Sequence, residues 1–328
     1  MPAKKIFVFG LSLFVMTLLL TFCSTKTVVM TVMRPAEVNL KNYPKIAFGD
    51  FTNPAGRVDR HARDVAEILT ARLIATGRFD VVDREHLKTI LKEQTLAASG
   101  LIDESSAPEL GRLLGASALI FGRIQTDHYQ EKVSKDKPYK DKKKRTHQRH
   151  HRYGTYRFTV AVKIIDVQTG KILTVKEIDV EEKAHTSALD KPAPPIDRQA
   201  LYKRCLDKVA LRFEHLVAPY KQKVRAAFVM DDQLPGAKKA VGLFKAGEWD
   251  TGLELLKQEV SKPGLKPEVQ AKAFYNLGLA QMYLGQHDQA IVNLKKALSL
   301  KPDESRYQKA LKQAKAEKEE AERLKEQL

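Results

Sequence analysis

The hydrophobic pattern of this chain changes period near Met230, and that change restricts it to two kinds of structure joined in series. Before it, short apolar runs switch between two-residue spacing and three- to four-residue spacing, as strands interleaved with helices require. Beyond it, residues 237–328 keep helical spacing almost throughout, and Gly247-Glu248-Trp249-Asp250 returns as Gly285-Gln286-His287-Asp288, thirty-eight positions later. Each copy follows one helical stretch and opens another, the mark of stacked helical hairpins. A length of 328 residues accommodates both halves.

In the first half, Lys45–Phe51 (KIAFGDF) reads as a strand, and Val58, Ala62, Val65, Leu69 and Leu73 read as the buried stripe of a helix ended by Gly77. A short strand at Phe79–Val82 precedes a helix capped by Asp83 that carries Leu87, Ile90 and Leu91, and Ser106 with Glu109 forms a capping box for another. Ala116–Ile124 is apolar on both faces, as a central strand covered on each side would be. Tyr156, Phe158, Val160, Val162 and Ile164 alternate with polar residues, and Gln168-Thr169-Gly170 turns that strand into a partner running to about Val180, with a bulge expected near Val175 to Ile178. A Pro-rich loop at 189–196, a helix from about Asp197 to Leu216 and a last strand at Val224–Met230 complete a mixed sheet packed against helices.

The chain opens with Lys4 and Lys5, an apolar stretch from Ile6 to Leu20, and Cys23 at its end. This order reads as an export signal over residues 1–22, and Cys23 looks like the acylated cysteine of a bacterial lipoprotein. Leu20 and Thr21 suit that processing site, while Phe22 stands where a small residue is usual; the same stretch also fits an uncleaved anchor. Ser24 follows the cysteine without an acidic retention residue, so the expected address is the periplasmic face of the outer membrane. Residues 23–42 read as a tether. With Cys23 acylated, Cys205 is left without a disulfide partner, and its helical spacing with Leu201, Val209 and Phe213 places it in a core.

The net charge of +17 is concentrated: between Gln130 and Arg152 ten Lys or Arg face three acids. For an exported chain this fits anionic envelope surfaces better than nucleic acid, and 128–152 reads as a solvated loop whose Lys142, Lys143, Lys144 and Arg145 contact such a surface. His147, His150 and His151 lie in the same loop, but a flexible, cation-rich segment holds no fixed metal geometry, so no metal is expected.

Residues 271–304, AKAFYNLGLAQMYLGQHDQAIVNLKKALSLKPDE, resemble a tetratricopeptide repeat. The resemblance gives Phe274 the large aromatic place, Leu277 and Gly278 the close helix approach, Ala290, Leu294 and Ala297 the inner packing, and Pro302 the closing turn. Gln281 departs from the usual aromatic, and the earlier copy, about 233–270, is degenerate, with Gly252 at a key alanine position. Residues 43–230 resemble the curli-secretion lipoprotein (CsgG) family and related lipoprotein activators, on KIAFGDF, FDVVDREHLKTILKEQ (79–94), LGRLLGASALIFGRI (110–124) and VKIIDVQTGKIL (162–173).

That resemblance implies an α/β domain over 43–230; the tetratricopeptide resemblance implies all-α repeats over 233–308, and 309–328 read as a charged, solvating end helix. The sheet-domain resemblance implies a non-enzymatic module, held in the envelope by lipid, that works by protein contact; the repeats either dock an unidentified envelope protein or only brace the sheet domain. Family channels close inserted amphipathic hairpins into a shared barrel, and 128–152 and 181–198 lack the alternating apolar stripe such strands need. The channel subunit, forming a ring, is the alternative, and a homo-oligomer without a pore stays open. Phosphate-loop, GxGxxG, HExxH, CxxC and GxSxG motifs are all missing from the sequence, so no catalytic residue and no cofactor are expected.

Overall fold

The structure, a computed structural model, describes residues 24–82 and 115–328. The export signal with Cys23, and the helices read at Asp83 to Leu91 and at Ser106 to Gly115, therefore lie wholly or mainly outside the described residues. The chain forms two compact units: the described part of Met1–Met30 with Lys223–Lys318, and Thr31–Gln222 with Glu319–Leu328.

The larger unit is built on a five-stranded mixed sheet. Its strands are β2 (Lys45–Thr52), β3 (Asp80–Val82), β4 (Ala118–Lys135), β7 (Arg149–Asp166) and β8 (Ile172–Leu189), in the order β3-β2-β4-β7-β8. β2 runs parallel to β3 and β4, and β4-β7-β8 form an antiparallel meander. β4 is the central strand, as its two-sided apolar sequence requires. One sheet face is covered by α1 (Arg60–Ala75) and α2 (Arg198–Val217), which bury Leu69, Leu73, Cys205, Val209 and Phe213 against Phe48, Ile120, Phe158 and Val162. The other face carries a smaller cluster of Ala47, Leu119, Phe121, Ile165 and Val167. Asp59 and Asp197 cap the two helices by accepting from the amides of Ala62 and Ala200 at 2.9 and 3.0 Å. Asp166 holds the β7–β8 turn by accepting from the amides of Gln168 and Thr169.

Four expectations change. Residues 128–152 are not a loop: β4 and β7 continue through them as 18-residue strands, and only 136–148 turn back, around a small hairpin of β5 (Tyr139–Lys140) and β6 (Thr146–His147). The irregularity in β7–β8 falls between Ile164 and Ile165, next to the turn, while Val175 to Ile178 pair in regular register. The last strand, β9 (Tyr220–Val229), joins β1 (Thr25–Arg34) in a separate two-stranded sheet, so 25–34 are paired strand and no free tether. The final helix does not merely solvate the end of the chain. Gln327 is 6% exposed and reads both backbone groups of Ala36: the Ala36 N–H donates to its Oε1 at 2.7 Å, and its Nε2 donates to the Ala36 carbonyl at 3.0 Å. Arg34 pairs with Glu320 at 2.7 Å in the same unit.

The second unit contains α3 (Pro235–Ala246), α4 (Trp249–Val260), α5 (Pro267–Tyr283), α6 (His287–Leu300) and the start of α7 (Ser305–Gln327). Gly247 and Gly285, the repeated glycines, take φ of +89° and +77° where α3 and α5 give way to the next helix, a conformation that costs other residues free energy. Their core joins Ala240, Phe244, Leu256, Leu277, Leu294 and Tyr307 with Val28, Phe228 and Val229 of the strand pair. Among the described residues no helix is long and apolar enough to cross a membrane.

Candidate functional site

The far part of the β4-β7-β8 meander, about 127–135, 149–158 and 180–189, together with the turn 136–148 at its end, carries the charge singled out in the sequence. Its two faces differ. One alternate set of residues, Tyr129, Tyr156, Glu182, Ala184 and Ala188, turns inward. The Pro-rich segment covers this side: Thr186 Oγ1 donates to the Pro194 carbonyl at 2.6 Å, Arg152 Nε donates to the Ala193 carbonyl at 3.3 Å, and Ala193 is buried. The other set, including His128, Gln130, Lys132, Tyr153, Arg157, Lys183 and His185, faces solvent.

At the base of this extension a polar aromatic cluster joins the strands to both helices. Asp127 accepts the Tyr156 hydroxyl at 2.6 Å and binds the His61 imidazole, which stacks on Tyr202 with ring centroids 4.3 Å apart. The Tyr202 hydroxyl donates to Asp64 at 3.1 Å, and Arg198 lies over the rings of Tyr129 and Tyr156 at 5.5 and 5.8 Å. Burial, reinforced by Asp127 and Asp64, pushes both tyrosine hydroxyls well above their ordinary pKa. Such hydroxyls stay neutral donors, and through them the cluster braces the strands against the helices. The Cys205 thiol is likewise pushed up to about 11, first by burial and then by Glu182, which keeps it protonated and inert inside the core.

The tip is a tight, basic turn. Asp141 accepts from the amides of Lys143 and Arg145, both at 2.9 Å, and pairs with the Arg145 guanidinium at 2.8 Å. Lys144 takes φ of +62° at the turn's apex. Lys142, Lys143 and Lys144 are exposed, whereas Arg145 is committed to Asp141. His147 sits between Asp190 and Asp141 at 2.5 and 3.3 Å; these two contacts, Asp190 foremost, raise its pKa and fix the turn against the end of β8. Among the described residues no group of three or more His, Cys, Asp or Glu is placed to hold a metal ion.

In the helical unit the repeat positions gather at the α5–α6 contact. Ala290, Leu294 and Ala297 are fully buried, and Leu277 is 5% exposed. A β-carbon on Gly278 would lie 2.8 Å from Leu294 Cγ and 3.1 Å from the Ala290 carbonyl oxygen, so the two helices meet where only glycine fits. Gly252 plays the same part in the degenerate copy, with the Phe244 ring over it. Phe274 is half-buried under the Lys296 ammonium, 5.3 Å from its ring centre, and Pro302 is exposed in the turn before α7. Gln281 is buried and accepts from Asn293 at 2.7 Å, a polar exchange for the usual aromatic. Sequence reasoning passed over Asn276. Fully buried, it accepts from the Val229 N–H at 2.8 Å and donates to the Val229 carbonyl at 2.7 Å, tying α5 to β9.

A family model described as the curli production assembly/transport component CsgG matches residues 30–189. A tetratricopeptide repeat model matches residues 271–304. The chain thus joins a CsgG-like mixed sheet with helices to a C-terminal helical repeat. No curated protein matches it. Solved structures similar to it include lipoprotein GNA1162 from Neisseria meningitidis, at 11% identity over 42% of this chain and 81% of that one, with a TM-score of 0.28. The LpoB C-terminal domain from Salmonella enterica is 15% identical over 44% of this chain and 84% of its own, with a TM-score of 0.28. The PelC dodecamer from Paraburkholderia phytofirmans is 16% identical over 59% of this chain and 99% of its own, with a TM-score of 0.29.

Proposed function

We propose that this chain is a non-enzymatic envelope lipoprotein, held through Cys23 at the periplasmic face of the outer membrane, that works as an assembly or activator module by protein contact. In this reading 43–230 form the module, 233–308 dock an unidentified envelope protein, and the basic tip rests on an anionic envelope surface. The family match over 30–189, described as a component of curli production assembly and transport, supports the envelope setting.

The observation that carries the choice between module and channel is the open face of the β4-β7-β8 extension. A barrel strand needs roughly 9–11 residues with an apolar outward set. The strands here are long enough, at 18 residues each, but their outward sets run His128, Gln130, Lys132 on β4, Arg157, Thr155, Tyr153 on β7 and Glu181, Lys183, His185 on β8. Placing these in hydrocarbon costs several kcal/mol per buried charge.

The test is the mass of the mature protein in mild detergent, by light scattering on a sizing column, with conductance across a planar bilayer on the same sample. A species that carries no current supports the module. A large ring that conducts overturns it. Cys23→Ala tests the anchor: loss from the membrane fraction is expected, and retention would favour the uncleaved helix instead.

A further inference from the structure

The β4-β7-β8 meander ends on a long edge. β8 closes the sheet order, and among the described residues it has a strand neighbour on one side only. Its backbone shows which residues look outward. The Asp190 N–H donates to the Gln148 carbonyl at 2.8 Å, one step beyond the Arg149–Leu189 pair, and the register runs unbroken from there back to Thr174. Even-numbered residues of β8 therefore turn their N–H and C=O groups to β7, and odd-numbered ones turn theirs to the edge. The Asp179 carbonyl agrees, since it is met by the Arg212 guanidinium of α2. Such an edge is a template for another strand.

The odd-numbered side chains from Val175 to Leu189 are all exposed, and they form a self-complementary series. Two copies related by a twofold axis normal to the sheet pair antiparallel and keep the same face, so odd meets odd. An axis through Glu182 sets Glu181 against Lys183, Asp179 against His185, Glu177 against Ser187 and Val175 against Leu189, each pair made twice by the symmetry. Val175 and Leu189, 56% and 38% exposed in the single chain, cover each other. Glu181 already pairs with Arg157 and Lys183 within one chain, and the second copy extends these contacts across the axis. Other registers fail: an axis at 181 or 183 sets Glu181 or Lys183 against its own copy, and one at 180 sets Asp179 against Glu181. Like charges directly opposite are destabilising. On the covered face the two Glu182 side chains meet at the axis, each already held by Arg204 and Lys208 of α2.

We infer that the edge of β8 is an interface between two copies of this chain, joined as an antiparallel strand pair centred on Glu182. The sheet then runs continuously through both copies, and the Asp179 carbonyl accepts the His185 N–H of the second copy, with Arg212 sharing that oxygen or turning aside. Because the same strand serves on both sides, the contact closes at two copies, whereas a head-to-tail contact would go on to a ring. The surface is separate from the basic tip and from the helical repeats, so the inference does not rest on the roles proposed for them.

The experiment is disulfide trapping in the detergent-extracted full chain, with Glu177→Cys and Ser187→Cys made as separate variants. Opposed residues of a hydrogen-bonded antiparallel pair have Cα atoms about 5.5 Å apart, within disulfide reach. Mixing the two variants should therefore give a covalent dimer under mild oxidant. Each variant alone should not, because each position lies about 34 Å along the strands from its own copy. The native chain, whose Cys205 is buried, sets the background. Light scattering should give twice the chain mass for the native protein. Lys183→Glu, which sets carboxylates against Glu181 on both sides of the axis, should weaken the dimer about tenfold or more. Lys132→Glu, on β4 two strands in from the edge, should leave it unchanged. Circular dichroism checks that each variant keeps its fold. A native chain that stays monomeric, a mixture that fails to cross-link, a single variant that links to itself as readily, or a dimer indifferent to Lys183→Glu would each overturn the assignment.

Discussion

Neutralising the tip lysines tests the proposed anionic-surface contact apart from everything else the extension does. The perturbation is Lys142→Gln with Lys143→Gln and Lys144→Asn; asparagine suits the left-handed backbone at Lys144, where φ is +62°. Arg145 is kept, because its guanidinium clamps Asp141, whose oxygens hold the turn. Arg145 and Asp141 cancel in charge, so the three lysines carry the net charge of the turn. Each basic residue near an anionic membrane contributes about 1 kcal/mol, so the triple variant loses about 3 kcal/mol. At about 1.4 kcal/mol per tenfold, partitioning falls roughly 100-fold or somewhat more. The assay is sedimentation of a chain starting at Ser24 with vesicles containing about a third anionic lipid, at low and at high salt. The wild type should lose most of its binding by about 0.5 M salt, where the Debye length shrinks to a few ångströms. A variant that binds within twofold of wild type at low salt refutes the reasoning and leaves the tip a spacer.

Three further outcomes follow from the packing. Asn276→Leu keeps the branched shape of the side chain but strands the buried N–H and C=O of Val229; at about 1–3 kcal/mol for each unsatisfied group, the helical unit should lose roughly 2–6 kcal/mol in denaturant unfolding, and a loss under about 1 would refute the role. Gly278→Ala must push Leu294 or the Ala290 carbonyl aside and should cost about 1–3 kcal/mol, read as a lower melting temperature of the same unit. His147, whose folded pKa is raised by Asp190 and then Asp141, stabilises the tip fully below its unfolded pKa of about 6.5, and that contribution is lost as pH rises through the folded value. Exchange protection of the Lys143, Arg145 and Gln148 amides, corrected for intrinsic rate, should fall across that window. Protection flat from pH 6 to 9 would sink the clamp.

The parts legible in the sequence are those whose pattern is local. KIAFGDF, the helix of Ala62, Val65, Leu69 and Leu73, the Gln168-Thr169-Gly170 turn and the repeat over 271–304 each combine periodicity with a terminator and fall where those residues place them, although Val58, read as part of that helix, precedes its Asp59 cap. What escaped depends on partners distant in sequence. Residues 128–135 and 149–155 lack an apolar alternation, so nothing local marks them as strand; their pairing is imposed by continuation of the β4–β7 ladder. Val224–Met230 is legible as a strand, but its neighbour β1 begins nearly two hundred residues earlier. Gln327 sits in a run of charged helix and shows its role only against the backbone of Ala36. The contact between the ring nitrogens of His151 and His185, at 2.9 Å, is a diagonal one set by register, which no motif encodes.

A β-extension with so few apolar residues needs another source of order, and the cross-strand pairs supply it. On the open face Arg157 Nε meets Glu181 at 2.7 Å, Thr159 donates to Asp179 at 2.7 Å and Gln125 donates to Glu177 at 2.7 Å. Each such pair contributes roughly 0.2–1 kcal/mol, small singly but repeated along the ladder. The covered face adds Arg152 with Glu131, the tyrosines around Asp127, and the Pro-rich strap. These contacts suit a surface that stays in water, because in hydrocarbon the same ions would be costly and their solvent-facing groups would lose hydration. An extension held together by polar pairs is therefore suited to meet a polar counterpart, protein or anionic surface. Replacing Arg157, Thr155 and Lys183 with Leu would create the apolar stripe that its outward face lacks. If that variant gained bilayer insertion while the native chain had none, the polarity of this face would be what keeps the native strands out of the membrane.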